Sequence, residues 1–412
     1  MDIAPRQRLH TESSPSQAPS AHHSEPSIEL ASPSQHLDQP PNTLVGYTLA
    51  SQPAFLDLRL KKKRLETWLR KDVMKEAIVS KGPKVKVVDS EIPEPKEGQL
   101  VIRVVVSGSN PKDWKVPHLL DDETNSGDDI AGIVHSVGPK VWEFKPGDRV
   151  ASFHEMRTAG GSYAEYAVGW QHSTFKIPES VSFEDAATTP LAAMTSAIGM
   201  YLRLGLPQPW TPATSPTPLV IYGGASAVGA FAIKFARLSN IHPIIAVAGR
   251  GTSFVEGLID RSKGDTIIDY RKGNDEVVKG IKDALKGETL RHAFDAVSEK
   301  GSYTNIVQVL DPQGTITLVL PGKKYEGIPE TVKQSTTSVG ETHSKAKEFA
   351  YVYYRYIAKG LAEGWFKPHP VEVVPGGLGG IEKALQNLKA GNASAVKYVF
   401  RIADTPGVKA NL

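Results

Sequence analysis

The sequence predicts an α/β fold: a doubly wound parallel sheet, a second β-rich domain, and a disordered N-terminal extension. Three observations carry this. A short apolar strand at Leu219–Tyr222 runs through a glycine-rich turn into a helix. Four further apolar runs, at 243–248, 266–269, 292–297 and 314–320, alternate with helical stretches, which is the βαβ order a parallel sheet requires. From Met74 to Val150 the chain consists of short strands punctuated by glycine and proline, and β-rich character returns at 371–374 and 396–402.

The glycine-rich turn, Gly223-Gly224-Ala225-Ser226-Ala227-Val228-Gly229, is the element around which the rest is organised. Such a turn lets backbone N–H groups at a helix start approach a pyrophosphate, and the helix dipole favours the negative charge there. Gly224 and Gly229 hold the outer positions of the dinucleotide fingerprint, while Ser226 replaces its middle glycine. The alternative is a tight turn with a small-residue helix contact. Gly224, Ser226, Ala227, Val228 and Gly229 are therefore candidate phosphate-binding residues, with Val297 and Leu320 at the ends of the fourth and fifth strands. An NAD-specific site places Asp or Glu at the end of the second strand. Here Ala248-Gly249-Arg250 stands there, with no carboxylate to repel a 2′-phosphate and an arginine able to pair with it. NADPH is the expected cofactor; the competing reading of Arg250 is a solvated surface charge.

Composition bounds the rest. A chain of 412 residues holds two domains or a little more, and a net charge of +3 over that length argues against a nucleic-acid footprint. With Cys 0 there is no disulfide, thiolate nucleophile or cysteine-ligated zinc. No apolar run reaches the roughly 18–20 residues that span a bilayer, and the N-terminus lacks the apolar core of a secretory signal, so a cytoplasmic location is expected.

Residues 1–54, rich in Ser, Pro, Gln and His, lack a periodic apolar pattern and are expected to stay disordered, with His22, His23 and His36 simply solvated. The segment 55–73 sets Lys61-Lys62-Lys63-Arg64 beside apolar residues at helical spacing, reading as a charged linker helix or an amphipathic membrane-surface helix. A chain beginning at Met74 is expected to fold and keep its activity. Residues 184–205 read as helical, ahead of a Pro-rich loop at 207–218, and 344–364 as a long helix whose tyrosines face the core. The loops 116–126 and 321–343 carry no pattern that fixes their shape.

The order of Asn110-Pro111-Lys112-Asp113-Trp114-Lys115, Gly127-Asp128-Asp129, Lys145-Pro146-Gly147-Asp148-Arg149-Val150, Gly161-Ser162-Tyr163-Ala164-Glu165-Tyr166 and Pro190-Leu191-Ala192-Ala193-Met194-Thr195 resembles the medium-chain dehydrogenase/reductase superfamily. The likeness is to its zinc-free quinone-oxidoreductase and enoyl-reductase branch. The Pro-rich loop and Gly364-Trp365-Phe366-Lys367-Pro368-His369-Pro370 look most like fungal trans-acting enoyl reductases of secondary metabolism.

The resemblance implies a GroES-like catalytic domain at 74–190, a Rossmann NADPH-binding domain at 191–344, and a return to the catalytic domain at 345–412, with 1–73 as extension. Gly127-Asp128-Asp129 stands where zinc-containing relatives have Gly-His-Glu, so no metal is expected. The implied chemistry is hydride transfer to the β-carbon of an activated double bond, then protonation. Candidate acceptors are enones, quinones, or enoyl thioesters delivered by a polyketide synthase; an NADPH-binding structural or RNA-binding role without turnover is the alternative. The resemblance assigns cleft-lining roles to Lys115, as carbonyl anchor or enolate stabiliser, and to Thr195, as a cofactor contact. It matches Tyr270 to a position contacting the 2′-phosphate. The competing readings are a surface lysine and a helix threonine bonded to its own backbone. Mitochondrial enoyl reductases of the superfamily use a tyrosine shortly after the Asn-Pro motif; residues 111–126 contain none, so proton donation is expected to fall to water. Relatives imply a monomer or a homodimer.

Overall fold

A computed structural model describes residues 73–409. The expectations for the tail, its histidines and the basic segment at 61–64 lie outside the described residues.

The chain opens with an antiparallel hairpin, β1 (Val73–Ser80) and β2 (Lys84–Glu91). Then come β3 (Gln99–Gly108), helix α1 (Lys112–Leu120), β4 (Asp129–Val137), β5 (Arg149–Phe153), β6 (Tyr166–Trp170) and β7 (Thr174–Lys176). Two short helices, α2 (Phe183–Ala186) and α3 (Pro190–Ala197), the latter running into a π-helical turn at Ile198–Arg203, lead to the second sheet. That sheet is built from β8 (Leu219–Tyr222), α4 (Ala227–Leu238), β9 (Ile244–Ala248), α5 (Thr252–Glu256), β10 (Thr266–Asp269), α6 (Asn274–Leu285), β11 (His292–Asp295), α7 (Ser302–Val307), β12 (Thr315–Leu318) and β13 (Lys333–Thr336). Helix α8 (Lys347–Glu363), β14 (Val371–Val373), α9 (Ile381–Lys389) and β15 (Lys397–Arg401) close the chain.

The second sheet is six-stranded and parallel, in the order β10-β9-β8-β11-β12-β13. Its strand order reverses between β8 and β11, where Tyr222 pairs with Asp295, and a doubly wound sheet holds its ligand at such a switch point. Every residue of β8 and β9 is buried, as strands covered on both faces must be. The sequence reading found five of these strands and took 321–343 as loop. The sixth, β13, is a polar edge strand, Lys-Gln-Ser-Thr, with no buried residue, so it lacks the apolar signal that marks its neighbours.

The first sheet runs β14-β15-β3-β4-β5-β7, with β6 also pairing β3. The C-terminal strand β15 thus lies antiparallel to β3, so the end of the chain completes the sheet begun at its start. Tyr163 and Phe400, both fully buried, meet edge-on at 5.6 Å in its core. Helix α8 buries Tyr353, Ile357 and Leu361 of the face Phe349-Tyr353-Tyr356-Ile357-Leu361 expected to meet the core, leaves Phe349 and Tyr356 half-buried, and also buries Tyr354, which lies outside that stripe. Tyr354 stacks on Phe175 of β7 at 5.4 Å, and its hydroxyl donates to Pro190 O at 3.0 Å, fixing the start of α3. Among the described residues no helix is long and apolar enough to cross a membrane.

Candidate active site

The glycine-rich turn is built as an anion cradle. Gly223 adopts φ +82°, and Gly223 N and Gly224 N both donate to Val247 O, at 2.9 and 3.0 Å. Ser226 caps α4, its Oγ accepting from Gly229 N at 3.0 Å, while Ser226 N donates to Gly223 O at 2.8 Å. Of the donors at this helix start, those of Ala227 and Val228 remain to face a ligand. A Cβ on Gly229 would lie 2.2 Å from Gly223 O, so the turn closes only on glycine there. These residues fit a dinucleotide pyrophosphate.

The neighbouring candidates gather round it. A Cβ on Gly223 would meet Val297 Cγ2 at 2.6 Å, so Val297 packs directly against the turn. The loop after β9 sits on it as well, because a Cβ on Gly251 would approach that of Ala225 to 2.6 Å. A Cβ on Gly249 would meet the Tyr270 ring at 2.5 Å, so that ring packs on the glycine that precedes Arg250. Arg250 is exposed and its Nη2 donates to Gly391 O at 2.6 Å, tying it to the segment that precedes β15. Leu320 lies just beyond Val319, whose N–H donates to Ser298 Oγ at 2.8 Å.

Thr195 is buried in α3 and its Oγ1 donates to Leu191 O at 2.8 Å, the backbone bond weighed as its alternative role. The hydroxyl lone pairs stay available as acceptors. The adjacent Ser196 donates to Val228 O at 2.7 Å, so α3 touches the first turn of the cradle helix.

Lys115 is not a free surface lysine. Its Nζ is 3.1 Å from Glu299 Oε1, joining α1 to the loop that follows β11. That loop is pinned: Asp295 accepts from Val297 N, Ser298 N and Ser302 Oγ at 3.0, 2.8 and 2.6 Å, and Ser298 and Lys300 adopt φ of 58° and 54°. Glu299 is thereby presented to Lys115 from a rigid support. Nothing in the sequence pointed to it.

Beside Lys115 lies a second group the sequence reading quoted as motif residues without assigning roles. Lys112 forms ion pairs with Asp113 (3.1 Å) and with Asp128, and also donates to Ser126 O. Asp113 Oδ2 accepts from Asn110 N at 2.7 Å and from the Tyr163 hydroxyl at 2.6 Å. Burial raises Asp113 and Asp128 to about 6 against the pull of Lys112. Burial also opposes the Lys112 ammonium, but the two carboxylates outweigh it and its pKa is raised. Burial, then Asp113, pushes the Tyr163 hydroxyl well above its ordinary value, so it stays a neutral donor.

The family profile described as the alcohol dehydrogenase GroES-like domain matches residues 96–179. The chain is 50% identical over 308 residues to the trans-enoyl reductase fsr4 of Gibberella fujikuroi, covering 74% of this chain and 91% of that protein. It belongs to the trans-enoyl reductases of the medium-chain dehydrogenase/reductase superfamily. The trans-enoyl reductase ACTTS2 of Alternaria alternata is 29% identical over 346 residues, covering 79% of this chain and 98% of that one. The crystal structure of CurK enoyl reductase superposes with TM-score 0.64 at 19% identity, over 80% of this chain and 99% of that one, and shows the shared fold. The chain is thus an enzyme, an oxidoreductase of enoyl-reductase type whose cofactor is a nicotinamide dinucleotide.

Proposed function

We propose that this trans-enoyl reductase uses NADPH to reduce the activated C=C bond of an enoyl thioester presented by a polyketide synthase. The observation that carries the cofactor choice is the end of β9, where Gly249 lies under the Tyr270 ring and Arg250 follows, with no carboxylate at the position. A 2′-phosphate there meets an arginine and a phenol rather than an anion. The thioester reading rests on the relatives' naming as trans-enoyl reductases.

In this reading residues 191–344 bind the dinucleotide, and 74–190 with 345–412 hold the acceptor. The Ala227 and Val228 amides take the pyrophosphate. The Thr195 hydroxyl, its proton committed to Leu191 O, accepts a hydrogen bond from the cofactor. The nicotinamide, when bound, supplies the hydride. Lys115, steadied by Glu299, faces the acceptor's carbonyl oxygen and stabilises the negative charge that gathers there as the double bond is reduced.

The test is oxidation of reduced nicotinamide by the purified protein with enoyl thioesters, enones and quinones. The reading expects thioester turnover with NADPH favoured over NADH, and loss of that preference in Arg250→Ala. Equal Michaelis constants for the two cofactors would overturn the NADPH assignment, and turnover confined to quinones the thioester assignment.

A further inference from the structure

The reaction ends with a proton added to the α-carbon, and the residues discussed so far leave its source open. Four titratable groups on the β-rich side lie close enough to compete. The Tyr163 hydroxyl is fully buried and committed to Asp113. His154 is 1% exposed, with ring nitrogens 2.8 and 3.2 Å from Val168 O and Thr158 O, and burial lowers its pKa, so it carries no proton to spare. Lys115 is the group assigned to the acceptor's carbonyl oxygen. Lys112 is as open as Lys115, each side chain keeping 22% of its surface exposed, but the carboxylates it binds, Asp113 and Asp128, are 0% and 1% exposed where Glu299 is 46% exposed.

The position of that opening follows from the helix. Lys112 and Lys115 are three residues apart in α1 and so are neighbours on one face, and Lys115 reaches across to the loop after β11. The charge of Lys112 also bears on His154, just after β5. Lys112 thus stands beside the lysine assigned to the acceptor's carbonyl. Its surroundings are incompletely satisfied. Neither Asp128 oxygen, nor Asp113 Oδ1, meets a hydrogen-bond donor of good geometry among the described residues, and Lys112 is the opposite charge that compensates them. Two buried carboxylates around one ammonium favour its charged form, so a neutral amine left there draws a proton back from water.

Resting on the enoyl-reductase reading, we infer that Lys112 is the proton donor, its ammonium protonating the α-carbon once the β-carbon has received the hydride. The step balances. The carbanion pair of the thioester enolate forms the new C–H bond, the Nζ–H bond breaks, and the neutral amine regains its proton from water. A thioester enolate is far more basic than an amine, so the transfer runs downhill even from an ammonium stabilised by two carboxylates. Lys112 takes the role that the sequence left to water. Asp128 is a positioning residue that acts through Lys112. The charged and titratable groups facing this ammonium are Asp113 on α1, Asp128 before β4, and His154 after β5, with Asp129 behind Asp128.

The experiment uses the full chain, crotonyl-N-acetylcysteamine thioester, and reduced nicotinamide in ordinary and heavy water. It reads kcat, KM, the face of α-deuteration by NMR, and cofactor binding by fluorescence. In Lys112→Met, kcat falls about a hundredfold or more, cofactor binding is kept, and deuterium enters both faces. Lys112→Arg keeps the charge and the ion pairs, and so the fold, but cannot release a proton, and behaves like Lys112→Met in turnover and stereochemistry. Asp128→Asn removes an anion that raises the Lys112 pKa, so the basic limb of its pH–rate profile moves to lower pH. Wild-type turnover with one-face deuteration in Lys112→Arg or Lys112→Met overturns the assignment. A wild-type protein that leaves the thioester unreduced overturns the enoyl-reductase reading itself, and the donor role with it.

Discussion

Lys397 offers a sharp test of how the end of the chain holds the beginning. Its side chain is 3% exposed and pairs with Asp129, which is 0% exposed at the first position of β4. Asp129 also accepts from Asn110 Nδ2 and from Leu191 N, both at 2.7 Å, and Lys397 donates to Asn110 Oδ1 at 3.2 Å. One buried pair therefore joins β15, β4, the turn before α1 and the start of the helix leading to the parallel sheet. Lys397→Met preserves the apolar stem and removes the charge, stranding a buried carboxylate with two neutral donors. Breaking such a pair costs about 3–5 kcal/mol, and the two surviving hydrogen bonds place this case near about 3 kcal/mol. Against a total stability of roughly 5–15 kcal/mol that is a large fraction. Urea unfolding followed by tryptophan fluorescence, with slopes compared, measures it. Adding Asp129→Asn removes the stranded charge, so the double variant is more stable than the sum of the singles, with a coupling of about 0.5–3 kcal/mol. A loss below about 1 kcal/mol in Lys397→Met, with no coupling, would refute the reasoning.

Gly229→Ala forces a Cβ to 2.2 Å from Gly223 O and opens the cradle, so fluorescence titration finds dinucleotide affinity reduced at least about tenfold, a loss of about 1.4 kcal/mol or more. Lys115→Ala lowers turnover about ten- to a hundredfold with cofactor binding retained, as expected from losing about 1.4–2.7 kcal/mol of transition-state stabilisation; unchanged turnover in both Lys115→Ala and Thr195→Ala would place the site elsewhere. Glu299→Gln removes a pair whose acid is 46% exposed, so unfolding shifts by less than about 1 kcal/mol while the effect on turnover is larger. Acid destabilises the fold: burial lowers His172 to about 4 and His343 and His369 to about 3, so the unfolded chain takes up protons near pH 6.5 that the folded one refuses. Asp113 and Asp128, raised to about 6, act in the opposite sense, while the lowered His154 and His292 add to the first effect, so stability is expected to fall as the pH drops below about 6, which urea midpoints at successive pH values would check.

The parts of this fold that show in the sequence are those whose physics is local. The glycine turn announces itself because a close approach such as that of Gly229 to Gly223 O admits one residue type, and β8 and β9 because a strand covered on both faces is apolar throughout. The edge strand β13 carries neither signal, and its place beside β12 is visible only once the sheet is assembled. The same division runs through the site. Arg250 is read from its position after β9 and Tyr270 from the family resemblance, yet that the Tyr270 ring packs on the glycine before Arg250 follows from its approach to Gly249. Lys112 and Lys115 occupy one hexapeptide and look interchangeable in it. What separates them is where their partners come from. Glu299, itself 46% exposed, arrives from the loop after β11 to engage Lys115, whereas Asp128, 1% exposed, arrives from the segment before β4 to engage Lys112. An ammonium in the first setting is a charge that can be offered to an oxygen; in the second it is a proton held in reserve. The assignment of the two lysines to different halves of the reaction therefore rests on contacts between distant segments, which no spacing within the motif encodes.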